Sequence, residues 1–148
     1  MRNITQQGID LIKKFEGFSP AVYICPAGYP TIGYGHLVRE NEFFSQLSES
    51  EAGELLCKDV QIAERAVLRL INVPLVDGQF DALVSFTFNL GSGALQRSTL
   101  RRVVNRGEHD KVPEQLIRWV WAGGRKLKGL VSRRKAEIIL YINHTGVD

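Results

Sequence analysis

The sequence predicts an α+β fold in which a small β-containing N-terminal lobe and a larger helical C-terminal lobe are joined by a long helix. Three observations predict it. Residues 21 to 37 are rich in aromatic and β-branched side chains broken up by proline and glycine, which is the composition of short strands and turns. A capping box at Ser48 and Glu51 then opens an apolar stripe that keeps one helical face for about six turns of 3.6 residues. The rest of the chain repeats helical spacing between glycine and proline stop signals. With 148 residues the chain can bury one core without disulfide or metal staples, and it reads as a single domain with lobes of roughly 1–60 and 61–148.

Along the chain, Thr5 is placed to cap a first helix bearing Ile9, Leu11, Ile12 and Phe15, and Gly17 offers a left-handed stop directly after Glu16. AVYI and TIGYGH, separated by the turn-forming CPAGYP, make a hairpin or small sheet between Ala21 and Leu37. The long helix carries Ala52, Leu55, Leu56, Val60, Ala63, Val67 and Leu70 and ends between Ile71 and Pro74. Asp77 can cap a further helix whose run FDALVSFTFNL is apolar on almost every side, which assigns it to the centre of the helical lobe, ending at Gly91 and Gly93. Thr99 to Asn105, Pro113 to Ala122 and Leu130 to Ile142 supply the remaining helices.

A content of 44% hydrophobic and 24% charged residues excludes collagen-like, disordered and disulfide-scaffold chains. The net charge of +3 favours anionic partners without naming one. Cys25 and Cys57 form no CxxC pair, and His36, His109 and His144 are scattered, so no metal-site spacing exists and no cofactor is implied. The N-terminus lacks the apolar run and small-residue cleavage site of an export signal, and no stretch of about 18 apolar residues occurs. The expectation is a protein that stays in the cytoplasm.

Three residues near the N-terminus stand out. Glu16 closes a predicted helix, where the negative end of the dipole disfavours a further negative charge by a few tenths to about 1 kcal/mol. That field and partial burial both favour the protonated carboxyl that a general acid needs. An exposed, mildly unfavourable glutamate is the plainer alternative. Cys25, nine positions on, reads equally as a buried inert thiol. Thr31, six further, reads equally as a strand former.

Taken together, a glutamate, eight residues, a cysteine, five residues and a threonine followed by IGYGH resemble the phage-type lysozymes, the T4-like endolysins that cut bacterial peptidoglycan. FEGF-x-P-x-x-Y at 15 to 23, FDALVSFTFNLGSGAL at 80 to 95 and WVWAGG…GLVSRR at 119 to 134 extend the resemblance over nearly the whole chain. It implies a lysozyme-like fold and a muramidase in which Glu16 is the catalytic acid, with Cys25 and Thr31 holding the attacking water on the opposite sugar face. Many relatives carry aspartate where this chain has Cys25. A free thiol has a pKa of about 8.5, and a nearby carboxylate pushes it higher, so Cys25 is expected to be mostly neutral and to orient water rather than abstract a proton.

On the last helix Arg134 shares a stripe with Leu127, Val131, Ile138 and Tyr141, where a guanidinium needs an acidic partner. The resemblance implies Glu16 as that partner; the alternative is an arginine reaching solvent beside Arg133 and Lys135. Asn89 offers a donor and an acceptor to an N-acetyl or hydroxyl group, or is simply a helix-terminal amide. Asn89 and Arg134 are the candidate substrate-binding residues. Trp119 and Trp121, two apart on one predicted helix, cannot share a face, so at least one belongs to the core. His36, after a Gly-Tyr-Gly turn, suits a structural hydrogen bond better than catalysis.

The leading function is therefore hydrolysis of the β-1,4 bond between N-acetylmuramic acid and N-acetylglucosamine by a monomer whose partner is peptidoglycan. The alternative is a basic membrane-active protein whose C-terminal helix, within RKLKGLVSRRKAEIILYI, engages an anionic inner- or outer-membrane surface. Nucleic acid is disfavoured, since the basic excess is spread out and no helix-turn-helix or zinc pattern is present.

Overall fold

The computed structural model describes residues 2–143; His144 lies outside them. Thr5 is extended ahead of α1 (Gln6–Glu16), and Gly17, at φ 73°, ends that helix in a conformation glycine adopts without a Cβ penalty. The chain then forms an antiparallel sheet in the order β1 (Ser19–Ile24), β2 (Pro30–Gly33), β3 (His36–Leu37). Tyr23 lies opposite Thr31, and Ile32 opposite His36. β2 is the central strand and packs on the long helix, so Thr31 and Ile32 are buried while β1 stays largely exposed.

α2 (Glu49–Leu70) begins as expected: Ser48 Oγ accepts the Glu51 N–H at 3.1 Å, and Glu51 Oε1 accepts the Ser48 N–H at 2.9 Å. Its stripe from Ala52 to Leu70 enters the core. α3 (Asp77–Leu90) is the central helix, buried at every residue from Gly78 to Thr87. Asp77 is its first residue rather than its cap. The cap position belongs to Val76, whose N–H donates to Gln79 Oε1 at 3.0 Å, and the Asp77 carboxylate instead accepts from Arg2 at 3.0 Å.

Beyond α3 come α4 (Ser92–Arg97), for which no helix was expected, and α5 (Thr99–Asn105), capped by Ser98 Oγ. A 3-10 turn at His109–Lys111 leads into α6 (Val112–Leu116). The helix expected over Pro113 to Ala122 thus stops at Leu116. Trp121–Ala122 is instead β4, paired with β5 (Arg125–Lys126), because Gly123 and Gly124 take φ of 59° and 77° and close a hairpin. The two tryptophans therefore part company. Trp119 packs edge-on against Phe86 with ring centres 5.4 Å apart, whereas Trp121 is 61% exposed on the hairpin.

α7 (Lys128–Ile142) lies along α3. Leu140 and Tyr141 are buried in the core, whereas Ile139 and Ile142 stay exposed near its end. No helix among the described residues is long and apolar enough to cross a membrane.

Candidate active site

Glu16 is the last residue of α1, and its side chain is 22% exposed. Three cavities of about 590, 330 and 320 Å³ share it as a wall. The largest runs past the β2–β3 turn to Asp59 and Ile62 of α2 and to Phe88 and Asn89 at the end of α3. The second is closed by Leu127, Leu130 and Arg133 around the start of α7, and the third by Phe18 and Tyr23 on the β1 side. Gly35, at φ 78°, presses against the carboxylate so closely that a Cβ there would lie 2.7 Å from Glu16 Oε1. A side chain at 35 would displace the carboxyl group.

The arginine facing Glu16 is Arg133, whose Nη1 donates to Glu16 Oε2 at 2.8 Å. This corrects the expected pairing with Arg134. Arg134 is 0% exposed and lines none of the three cavities around Glu16; its Nη2 donates to Asn89 Oδ1 at 2.7 Å and to Glu137 Oε2 at 3.1 Å, and its Nη1 to the Trp119 carbonyl at 3.3 Å. Nε of Arg134 and Oε1 of Glu137 lie 2.7 Å apart as an ion pair without hydrogen-bond alignment. Ser85 Oγ completes the cluster, donating to Glu137 Oε2 at 2.6 Å. Burial pushes the Glu137 carboxyl up, against the opposing pull of Arg134, Ser85 and Arg133.

Two arginines and two glutamates thus form a charge-balanced chain leading from Glu16 through Arg133 and Glu137 to Arg134 and back to the cleft at Asn89. With Asn89 Oδ1 held by Arg134, the amide N–H groups are left for the cavity it shares with Glu16. Arg134 is accordingly a buried support for Asn89, not a surface that meets a ligand. A signal for the correct partners was present: Glu137 lies three residues after Arg134 and four after Arg133, the spacings at which helical side chains meet.

Cys25 and Thr31 are neighbours on the sheet. The Cys25 N–H donates to the Tyr29 carbonyl at 2.9 Å, and the Thr31 hydroxyl donates to the same carbonyl at 2.9 Å. The half-buried thiol has its pKa lowered, chiefly by the Tyr29 backbone N–H, with burial opposing and the Thr31 hydroxyl and the Ala27 and Gly28 N–H groups adding to it. The expected upward push is therefore reversed. Among the described residues no hydrogen bond joins either side chain to Glu16, and neither lines the three cavities.

His36 is buried and structural, as its sequence context suggested. Nδ1 meets Asp59 at 2.7 Å and Nε2 meets Glu42 at 2.9 Å, tying β3 to α2 and to the following loop. Burial disfavours the charged ring, yet the two carboxylates outweigh it and raise the pKa.

Comparison with known proteins agrees with this geometry. The family model described as phage lysozyme matches residues 13–137. The chain is 42% identical over 142 residues to the endolysin of Bacillus phage B103, covering 95% of this chain and 54% of that protein. It is 34% identical over 147 residues to the endolysin of Salmonella phage P22, covering 97% of this chain and 100% of that one. It thus spans about half the length of the Bacillus phage endolysins it matches and the full length of the P22 protein. Among solved structures, the muramidase domain of SpmX from Asticaccaulis excentricus superposes with a TM-score of 0.87 at 34% identity, over 96% of this chain and 99% of that one. With a family match over most of its length and a P22 relative covered end to end, the chain belongs to the phage lysozyme family.

Proposed function

We propose that this chain is an endolysin muramidase that hydrolyses the β-1,4 bond between N-acetylmuramic acid and N-acetylglucosamine in bacterial peptidoglycan during host lysis. The observation that carries this reading is Glu16, a partly exposed carboxyl where three cavities meet, ion-paired to a buried arginine. The fold and identity shared with a muramidase domain support it.

In this reading Glu16, protonated, gives its proton to the leaving glycosidic oxygen. The carboxylate left behind faces Arg133, whose charge stabilises it. In the same reading Cys25 and Thr31, close neighbours where β1 ends and β2 begins, hold the attacking water on the other sugar face. Asn89 offers its amide N–H groups to a substrate carbonyl or hydroxyl, and Arg134 fixes the orientation of that amide. No step needs a cofactor. Monomeric action and release to the wall through a separate pore-forming protein belong to the same reading.

Incubating purified peptidoglycan with the protein and weighing the fragments tests it. New reducing ends on muramic acid are expected. Fragments cut at the lactyl amide or within the stem peptide would replace this reading with an amidase or a peptidase.

A further inference from the structure

At the opposite end of α1 from Glu16, two buried carboxylates hold the chain. Asp81 of α3 accepts the Thr5 N–H at 3.0 Å and also the Thr5 hydroxyl. Glu64 of α2 accepts the Ile4 N–H at 2.6 Å. Thr5 occupies the N-cap position but does not cap its own helix; its hydroxyl is spent on Asp81. A Cβ at Gly8 would clash first with the Ile4 side chain and would also lie 2.8 Å from Asp81 Cγ, so the packing of this first turn on Ile4 and α3 requires glycine.

We propose that Asp81, assisted by Glu64, is a positioning residue for Glu16: by fixing the first turn of α1 it sets where the carboxyl at the far end of that helix sits in the cleft. The chemistry rests on the muramidase reading; the geometry rests on α1. Ile9 and Ile12 set this helix in the core, with Ile4 and Leu11 packed against it, and these side chains leave its rise along its own axis to the polar contacts at its ends. Gly17, directly after Glu16, is a glycine in the left-handed region and transmits little restraint from the sheet. The placement of Glu16 is therefore left to the helix itself, a rod of about 16 Å at 1.5 Å per residue. That rod is pinned at one end by Asp81 and Glu64 and at the other by Arg133. Burial pushes both carboxyls up, and the N–H groups of Thr5 and Ile4 pull against that push.

A merely structural anchor and a positioning anchor differ in one measurable respect. If both ends place the same carboxyl group, weakening one end changes what the other contributes. Thr5→Val and Asp81→Asn are each combined with Arg133→Lys, with folding verified by circular dichroism, kinetics taken on soluble glycan strands, and the Glu16 carboxyl titrated by carbon NMR. Thr5→Val carries the test alone if Asp81→Asn does not fold. Each anchor variant is expected to lower kcat about tenfold with KM within about twofold, as misplacement of a reacting group does. Each is also expected to move the Glu16 titration and to combine with Arg133→Lys non-additively in log kcat. Unchanged kcat and titration with a lower Tm, or effects that multiply within about twofold as for independent distant sites, would overturn the proposal. A wild-type protein that releases no reducing ends while its Glu16 titration still responds to Thr5→Val would leave the positioning role standing and remove the muramidase reading.

Discussion

Arg133 reaches across 117 positions of sequence to place Nη1 at 2.8 Å from Glu16 Oε2, and this contact ties the last helix to the end of the first. Arg133→Ala should therefore lower kcat/KM on solubilised wall about tenfold or more, because the carboxylate left by proton transfer loses the cation that stabilises it. Steady-state kinetics on a variant with an unchanged far-UV spectrum check this. An unchanged kcat/KM would remove Arg133 from the site.

Glu137 lies between two guanidinium groups and balances their charge together with Glu16, where none of Arg133, Arg134 and Glu137 reaches solvent freely. Glu137→Gln leaves Arg133 and Arg134 with one anion between them, and a broken buried pair costs about 3–5 kcal/mol. Urea unfolding should report a loss of that size. A loss under about 1 kcal/mol, the worth of an exposed pair, would mean that the cluster is hydrated.

Cys25 stands where many relatives are expected to carry aspartate. If its sulfur only holds water beside Thr31, Cys25→Ser should retain activity within about tenfold, and Cys25→Asp, an ionised acceptor at neutral pH, should equal or exceed the wild type. Intact-protein mass spectrometry during turnover should show no sugar attached. A trapped glycosyl adduct on Cys25, with Cys25→Ser nearly inactive, would make the thiolate a nucleophile instead.

The pairing of His36 with Asp59 and Glu42 should appear in stability rather than in rate. The folded-state pKa of His36 is raised, so its contribution is fully present below the unfolded value of about 6.5 and is lost as pH rises through the folded value. Asp59→Asn should accordingly lower Tm more at about pH 6 than at about pH 9. Equal losses at both would mean that the ring is neutral throughout.

What the sequence revealed and what it hid divide along locality. The Ser48–Glu51 box, the stop at Gly17 and the all-round apolar run of α3 are short-range signals, and each describes the element that forms. Glu16 was visible through its spacing to Cys25 and Thr31 ahead of IGYGH, since a carboxylate at a helix C-terminus by itself also fits an exposed glutamate. The hairpin at Trp121 was hidden because WVWA fits both helical and strand patterns, and the two positive-φ glycines after it decide the matter. Adjacent arginines on α7 point about 100° apart, and only the positions of Glu16, Ser85 and Asn89 on other helices determine which one meets the cleft. Asp81 and Glu64 were hidden for the same reason. Their partners lie 76 and 60 positions away in sequence, on a segment whose own pattern announces only a helix start.

The central claim is that the Glu16 proton cleaves the glycan, and Glu16→Gln tests it most directly. The amide keeps the shape of the side chain and can accept from Arg133, so the far-UV spectrum and cooperative unfolding should persist, yet it has no proton to deliver. Reducing-end release from purified peptidoglycan should fall below about one per cent of wild type, within the 10²–10⁴-fold that general acid catalysis typically supplies. A folded Glu16→Gln protein that still releases reducing ends at a tenth of the wild-type rate or more would contradict the account.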